Sequence, residues 1–301
     1  SFPTRRSSDL ICSGFPLTGW LPKSNVFPTC LKRPAQNLES ACKLAKGVNK
    51  SILKQTAEQT DAELADEVWR QSLEEAEKGW VWFDESENLE GKILAKRFGL
   101  RQADKIRMID DCSIGGFNAT CGVHEKMRVH SVDEMAAYIC WCITHLGEGA
   151  MKQVVGKTYD LKNAYKQYGV RSQDRELLRL AVWDPVEKRV RLMGANALPF
   201  GAIGSVGAFL RVSMAVWYIG VVGLRLCWTS FFDDYTLLSK RTFSKSAEVS
   251  AETLFTLLGL QFAKEGKKAV EWNSKVKTLG VLIDLDPEGS KGDMVDRKSV
   301  V

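Results

Sequence analysis

Three aspartates carry the most suggestive chemistry in this chain. Asp160 ends a short apolar strand that begins after Gly156. Asp233-Asp234 sits at a tight turn, with Leu226-Cys227-Trp228-Thr229-Ser230-Phe231-Phe232 before it and Tyr235-Thr236-Leu237-Leu238 after it. Carboxylates on neighbouring strands can converge, and converging carboxylates hold divalent cations. Nucleotidyl transfer asks for two such cations about 4 Å apart, one activating the attacking hydroxyl and both neutralising phosphate charge. Magnesium keeps water and substrate phosphate in its shell, so two or three protein carboxylates suffice. An Asp-Asp dipeptide alone is weak support, since Asp110-Asp111 in the same chain merely precedes a loop with Gly115, Gly116 and Asn118. The apolar flanks of Asp233-Asp234 separate it from an ordinary surface turn.

The elements that must position these residues read as follows. Residues 10–47, with four prolines and no clear period, read as a linker or truncated element. Residues 48–78 space apolar positions among charges as an amphipathic helix or helix pair would. Trp80-Val81-Trp82-Phe83 is strand-like, and Ser131 with Glu134 forms a capping box for a helix that ends near Leu146. After the strand ending at Asp160, an apolar strand over 177–183, an Asp184-Pro185 turn and a second strand to Leu192 make a hairpin. A long buried helix over 201–218, two strands around Asp233-Asp234, a helix over 247–258 and a closing strand over 276–283 complete the order. This mixture predicts an α+β fold with an antiparallel sheet backed by helices.

Composition bounds the function. With 45% hydrophobic residues the chain can bury a core, and disorder is not the default. The ends look foreign. Ser1 to Leu10 and Asp296 to Val301 back-translate to a common sequencing adaptor and to the reverse complement of part of it. About 285 residues then remain as natural sequence, read as an internal piece of a longer protein. The formal charge is +5, of which each end segment contributes +1, so global charge says little. The stretch 92–107 is locally basic, with Lys92, Lys96, Arg97, Arg101, Lys105 and Arg107 against Asp104. It reads as a solvated helix face or a phosphate-facing surface, the former favoured on charge alone. Eight irregularly spaced cysteines fit reduced intracellular thiols, and Cys112, Cys121, His124 and His130 match no compact zinc spacing. The uncharged run 212–224 is 13 residues long, too short to span a bilayer.

Taken together, the motifs resemble those of reverse transcriptases from retrotransposon-like elements. Tyr159-Asp160-Leu161-Lys162-Asn163-Ala164-Tyr165 resembles motif A, in which alanine and an aromatic follow the aspartate by four and five positions. Leu198-Pro199-Phe200-Gly201, continuing through Ser205 and Phe209 to Arg211, resembles motif B, and Phe231-Phe232-Asp233-Asp234 resembles motif C. The resemblance spans about 91–283. It implies a right-hand polymerase with fingers over 79–150, a palm over 151–285 holding a fingers hairpin near 176–193, and an N-terminal linker and helical region over 11–78. The thumb would be missing. Two departures are visible: Phe200 stands where many members have glutamine, and Phe231 where tyrosine is usual.

The resemblance also implies roles. Asp160 and Asp233 would be metal ligands, with Asp234 a weaker or structural contributor, to two Mg2+ ions, or Mn2+ in their place. Tyr165, beside Ala164, would be the steric gate against a ribose 2′-hydroxyl; its bland alternative is a core aromatic. Phe200 and Gly201 would border the nascent base pair, with helix packing as the alternative for the glycine. Lys105 and Arg107, or Arg101 instead, would grip the incoming triphosphate. Lys267 or Lys268 would protonate pyrophosphate, and Thr278-Leu279-Gly280 would be a primer-grip strand. The implied activity is RNA-directed DNA synthesis, with an RNA template, a DNA or RNA primer and deoxynucleoside triphosphates as partners, inside the cell and without a membrane. Two alternatives stay open: an RNA-dependent RNA polymerase palm, and an inactive nucleic-acid-binding fragment.

Overall fold

The computed structural model describes residues 4–58, 61–86, 88–102, 105–146, 152–266, 269–285 and 295–296. The protein is α+β, with seven α-helices and four antiparallel or mixed sheets among the described residues. The chain divides into two units, each assembled from two stretches of sequence. The first is Ser1–Met127 with Tyr165–Phe209, and the second is Arg128–Ala164 with Leu210–Val301.

The first unit is organised by a five-stranded sheet. Its order is Val81–Phe83, Arg189–Ala195, Leu178–Asp184, Ile93–Gln102 and Lys105–Asp111. Only the contact between Ile93–Gln102 and Leu178–Asp184 is parallel. The expected hairpin at Asp184-Pro185 is present because Asp184 Oδ1 accepts the Val186 and Glu187 amides and so closes the turn. Two helices cover the sheet. Ile52 of Leu38–Ala57 packs with Leu94, whereas Leu64 and Val68 of Ala62–Glu77 close on Gly99. Positions 94 and 99 differ in parity along one strand, so the helices cover opposite faces.

Two expectations are corrected here. The helix Leu38–Ala57 starts well inside the region read as a linker, because Asn37 caps it by accepting the Ser40 amide, and Gly47 is tolerated as an exposed helical residue. Upstream, the short strands Gly19–Trp20 and Thr29–Lys32 pair with Cys121–Glu125, about a hundred residues away, so no local pattern announced them. The basic residues Lys96, Arg97, Arg101, Lys105 and Arg107 lie on a pair of strands, not on a helix face. Arg97 in its middle is buried rather than solvated.

The helix Ile203–Tyr218 continues through a π-helical turn, Ile219–Gly223, and its residues are divided between the two units. At 21 residues it is long and apolar enough to cross a membrane by length and composition, although half of its most apolar window is buried in the protein. The uncharged run 212–224 is shorter than the helix because Arg211 bounds the run yet lies within the helix, where it is buried.

The second unit is built on a three-stranded antiparallel sheet in the order Cys227–Phe231, Asp234–Lys240 and Val154–Asp160. One face is closed by an aromatic cluster. Tyr159, Trp228, Tyr235 and Phe262 all lie 5.2–5.7 Å, centroid to centroid, from Phe255 of the helix Ser244–Leu257. Met135, Ile139, Val154, Leu238, Val276 and Ile283 form a further core cluster. The helix Val132–Leu146 begins as expected, with the Ser131 amide and hydroxyl both donating to the Glu134 carboxylate, which pulls its pKa down to about 2.

The closing strand is corrected. Residues 275–284 form a hairpin, Lys275–Thr278 against Val281–Asp284, whose two-residue turn is Leu279-Gly280. Both turn residues have positive φ, 50° and 76°, the condition for a turn whose twist matches its strands. A leucine in the left-handed region is rare, which is why the sequence concealed this turn.

Candidate functional site

The second unit brings the three aspartates to one end of its sheet. Phe231 and Asp234 are paired residues of the ladder, leaving Phe232 and Asp233 as a two-residue turn. Asp160 is directly opposite Asp234 on the other side of the central strand. Opposed residues of an antiparallel pair share a face, with Cβ atoms about 5 Å apart. The Asp233 carbonyl accepts the Leu161 amide at 2.9 Å, and the Asp160 carbonyl accepts the Ala263 amide at 2.9 Å. The backbone of both aspartates is therefore fixed by bonds outside the ladder.

The turn itself is strained. Phe232 has φ of 51°, and an aromatic residue held there costs about 1–2 kcal/mol. The strain is held by specific partners: Ser213 donates its hydroxyl to the Phe232 carbonyl at 2.8 Å, and Tyr235 shares a 2.9 Å hydrogen bond with that hydroxyl. On the outer strand, His130 donates its amide to Ser230 and accepts the Ser230 amide at Nδ1, 3.0 Å away. Burial lowers the His130 pKa, which favours the neutral ring.

These residues suit a hard cation in donor type. Oxygen ligands from one or two carboxylates, completed by water and phosphate, are what magnesium takes. Asp160 and Asp234 present such a pair on one face, and Asp233 adds a third from the turn. Among the described residues, no three His, Cys, Asp or Glu side chains are gathered tightly enough to hold an ion by themselves. A metal here would draw its remaining ligands from water and phosphate.

The other expected site residues lie as follows. Ala164 is a buried residue of the second unit. Tyr165 belongs to the first unit, where its half-buried ring meets Phe200 edge-on at 5.6 Å and the buried Phe209 at 5.0 Å. Phe200 is 42% exposed. Gly201 has φ of 128°, and a Cβ there would lie 2.1 Å from the Asp110 carbonyl oxygen, so close packing of backbones alone requires glycine. Lys105 and Arg107 are exposed on one face of their strand. Arg101, the alternative to them, pairs with Ile106 and so points to the opposite face, where it is held by Asp61 at 3.0 Å and Glu63 at 2.7 Å. Arg101 lines a cleft of about 950 Å3 together with Glu63, Asp66, Glu67, Arg70 and Lys105, in which acids and bases balance. Leu279 and Gly280 form a turn rather than a strand, as described above. Lys267 and Lys268 lie outside the described residues.

One constellation escaped the sequence reading. Arg97 is fully buried and clasps Asp110 through two hydrogen bonds, Nε to Oδ1 at 2.7 Å and Nη2 to Oδ2 at 3.1 Å. It also forms an ion pair with Glu75 at 3.0 Å, and Glu75 in turn meets Lys166 at 2.7 Å. Burial alone would lower the Arg97 pKa, but Asp110 and Glu75 outweigh it and raise it. The only sequence signal was a cation and an acid on strands that pair.

No protein-family model matches this chain, and no curated protein matches it.

Proposed function

We propose that this protein is the fingers and palm portion of a reverse transcriptase, which copies an RNA template into DNA by two-metal nucleotidyl transfer. The observation that carries the reading is the meeting of Asp160 with Asp233-Asp234 at a strained, externally braced hairpin end. Asp160 and Asp234, 74 positions apart in sequence, are paired on adjacent strands of one sheet, and Asp233 precedes Asp234 in the turn. Strain retained at such a turn is a mark of function when the surroundings over-determine it.

In this reading Asp160 and Asp233 hold the metals, and Asp234, opposite Asp160, supports the site. The ions would activate the primer hydroxyl and neutralise the phosphates. Lys105 and Arg107 supply cations to the triphosphate, and Arg101 is withdrawn from that role by its two carboxylates. Tyr165 is the sugar gate, seated on Phe209 with Phe200 beside it. The Phe200 ring, in place of a glutamine, would offer an apolar surface to the base pair.

The test is extension of a DNA primer on an RNA template by the chain with Mg2+. Deoxynucleotides should be used, and Tyr165→Ala should relax discrimination against ribonucleotides by about tenfold or more. Preferred use of ribonucleotides by the unaltered protein would move it to the RNA polymerases. Template binding without extension under Mg2+ or Mn2+ would favour a binding module.

A further inference from the structure

We infer that Lys166, Glu75, Arg97 and Asp110 form a buried positioning network that seats Tyr165 and Phe200 against each other, and thereby tunes sugar discrimination without touching the nucleotide. The inference rests on the gate role proposed for Tyr165. Its physical basis lies wholly within the first unit.

The network has two ends, and each end holds one of the two rings. At one end, Lys166 is the chain neighbour of Tyr165 and is tied to Glu75 of the helix Ala62–Glu77 at 2.7 Å. At the other, the Asp110 amide donates to the Phe200 carbonyl at 3.0 Å, and the Asp110 carbonyl lies against Gly201 with no room for a Cβ. Arg97 joins the ends, holding Asp110 by two hydrogen bonds and Glu75 by an ion pair, with Ser72 accepting a further bond at 3.2 Å. The circuit closes where the Tyr165 and Phe200 rings meet at 5.6 Å.

Four charges in so dry a setting are a poor way to gain stability, because apolar residues of similar volume often do as well. What such a set does provide is a unique arrangement. Asp110 cannot shift without abandoning Arg97, and Phe200 cannot shift without losing the Asp110 amide. Asn118 reinforces the same turn, donating to the Gly201 carbonyl at 3.0 Å and accepting the Ile203 amide at 2.9 Å. A gate that excludes one hydroxyl needs its ring held to a fraction of an ångström, and the network supplies that restraint.

The experiment uses the full chain with Lys166→Met, which removes the cation nearest solvent, and Lys166→Arg, which restores it. Two readouts are taken: the ratio of deoxynucleotide to ribonucleotide kcat/KM, and hydrogen exchange at the Asp110 amide. Lys166→Met should lower the ratio by about fivefold or more, through better ribonucleotide KM rather than altered deoxynucleotide kcat, and speed Asp110 exchange by about tenfold. Lys166→Arg should return both to near the starting values. A lower melting temperature with both readouts unchanged would overturn the proposal and leave a structural ion network. If Lys166→Met does not fold, Glu75→Gln severs the same link and is judged by the same two outcomes. If the unaltered chain incorporates no nucleotide, the functional reading has failed, while Asp110 exchange still decides whether the network restrains the Phe200 turn.

Discussion

The chain contains two Asp-Asp pairs, and they have opposite fates. Asp110 is buried and locked onto Arg97, while Asp111 turns its carboxylate back to accept the Ser113 and Ile114 amides. Both are consumed by structure. Asp233 and Asp234 stand at the end of a hairpin, with Asp160 paired to Asp234; Leu161 donates to the Asp233 carbonyl and Ser213 to the Phe232 carbonyl. The dipeptide is the same, but Asp110 is paired with an arginine across its strands, whereas Asp234 is paired with another aspartate, Asp160.

This contrast can be broken by exchanging the assays applied to the two pairs. The largest expected effect is on activity: Asp233→Asn should reduce primer extension by on the order of 10^3 with little change in melting temperature. An equal loss of stability would mean that the hairpin aspartates are structural after all. Asp110→Asn should do the reverse. Removing one of the two carboxylates that hold buried Arg97 is expected to cost about 3 kcal/mol in denaturant unfolding. A change under about 1 kcal/mol would show that the buried clasp contributes little.

A smaller effect sharpens the comparison of turns. Phe232 and Leu279 are both bulky residues at positive φ, yet only the first lies in the aspartate hairpin. Leu279→Gly should stabilise the protein by up to about 1 kcal/mol, the relief of left-handed strain exceeding the added freedom of the unfolded chain. A net loss would show that the Leu279 side chain has a packing role outweighing its backbone strain.

Much of the second unit's sheet was legible because its signals are local. Asp160 ends an apolar strand, Asp233-Asp234 interrupts another, and Ser131 with Glu134 marks a helix start. What escaped depends on partners far along the chain. Burial of Arg97 is set by Glu75 and Asp110, and nothing near Arg97 in sequence distinguishes it from the exposed cations around it. The face reached by Arg101 follows from strand register, which composition does not encode. The Leu279-Gly280 turn escaped because leucine replaces the usual Asn or Asp. The start of the helix Leu38–Ala57 is hidden because Gly47 suggests a boundary where Asn37 supplies the real one.

The central claim, that the hairpin aspartates hold the cations for nucleotidyl transfer, is tested most directly by counting bound Mn2+ with electron paramagnetic resonance in the presence of a deoxynucleoside triphosphate. The unaltered chain should bind two ions, and Asp233→Asn should lose at least one while keeping its fold. Equal binding by Asp233→Asn and the unaltered chain would contradict the account.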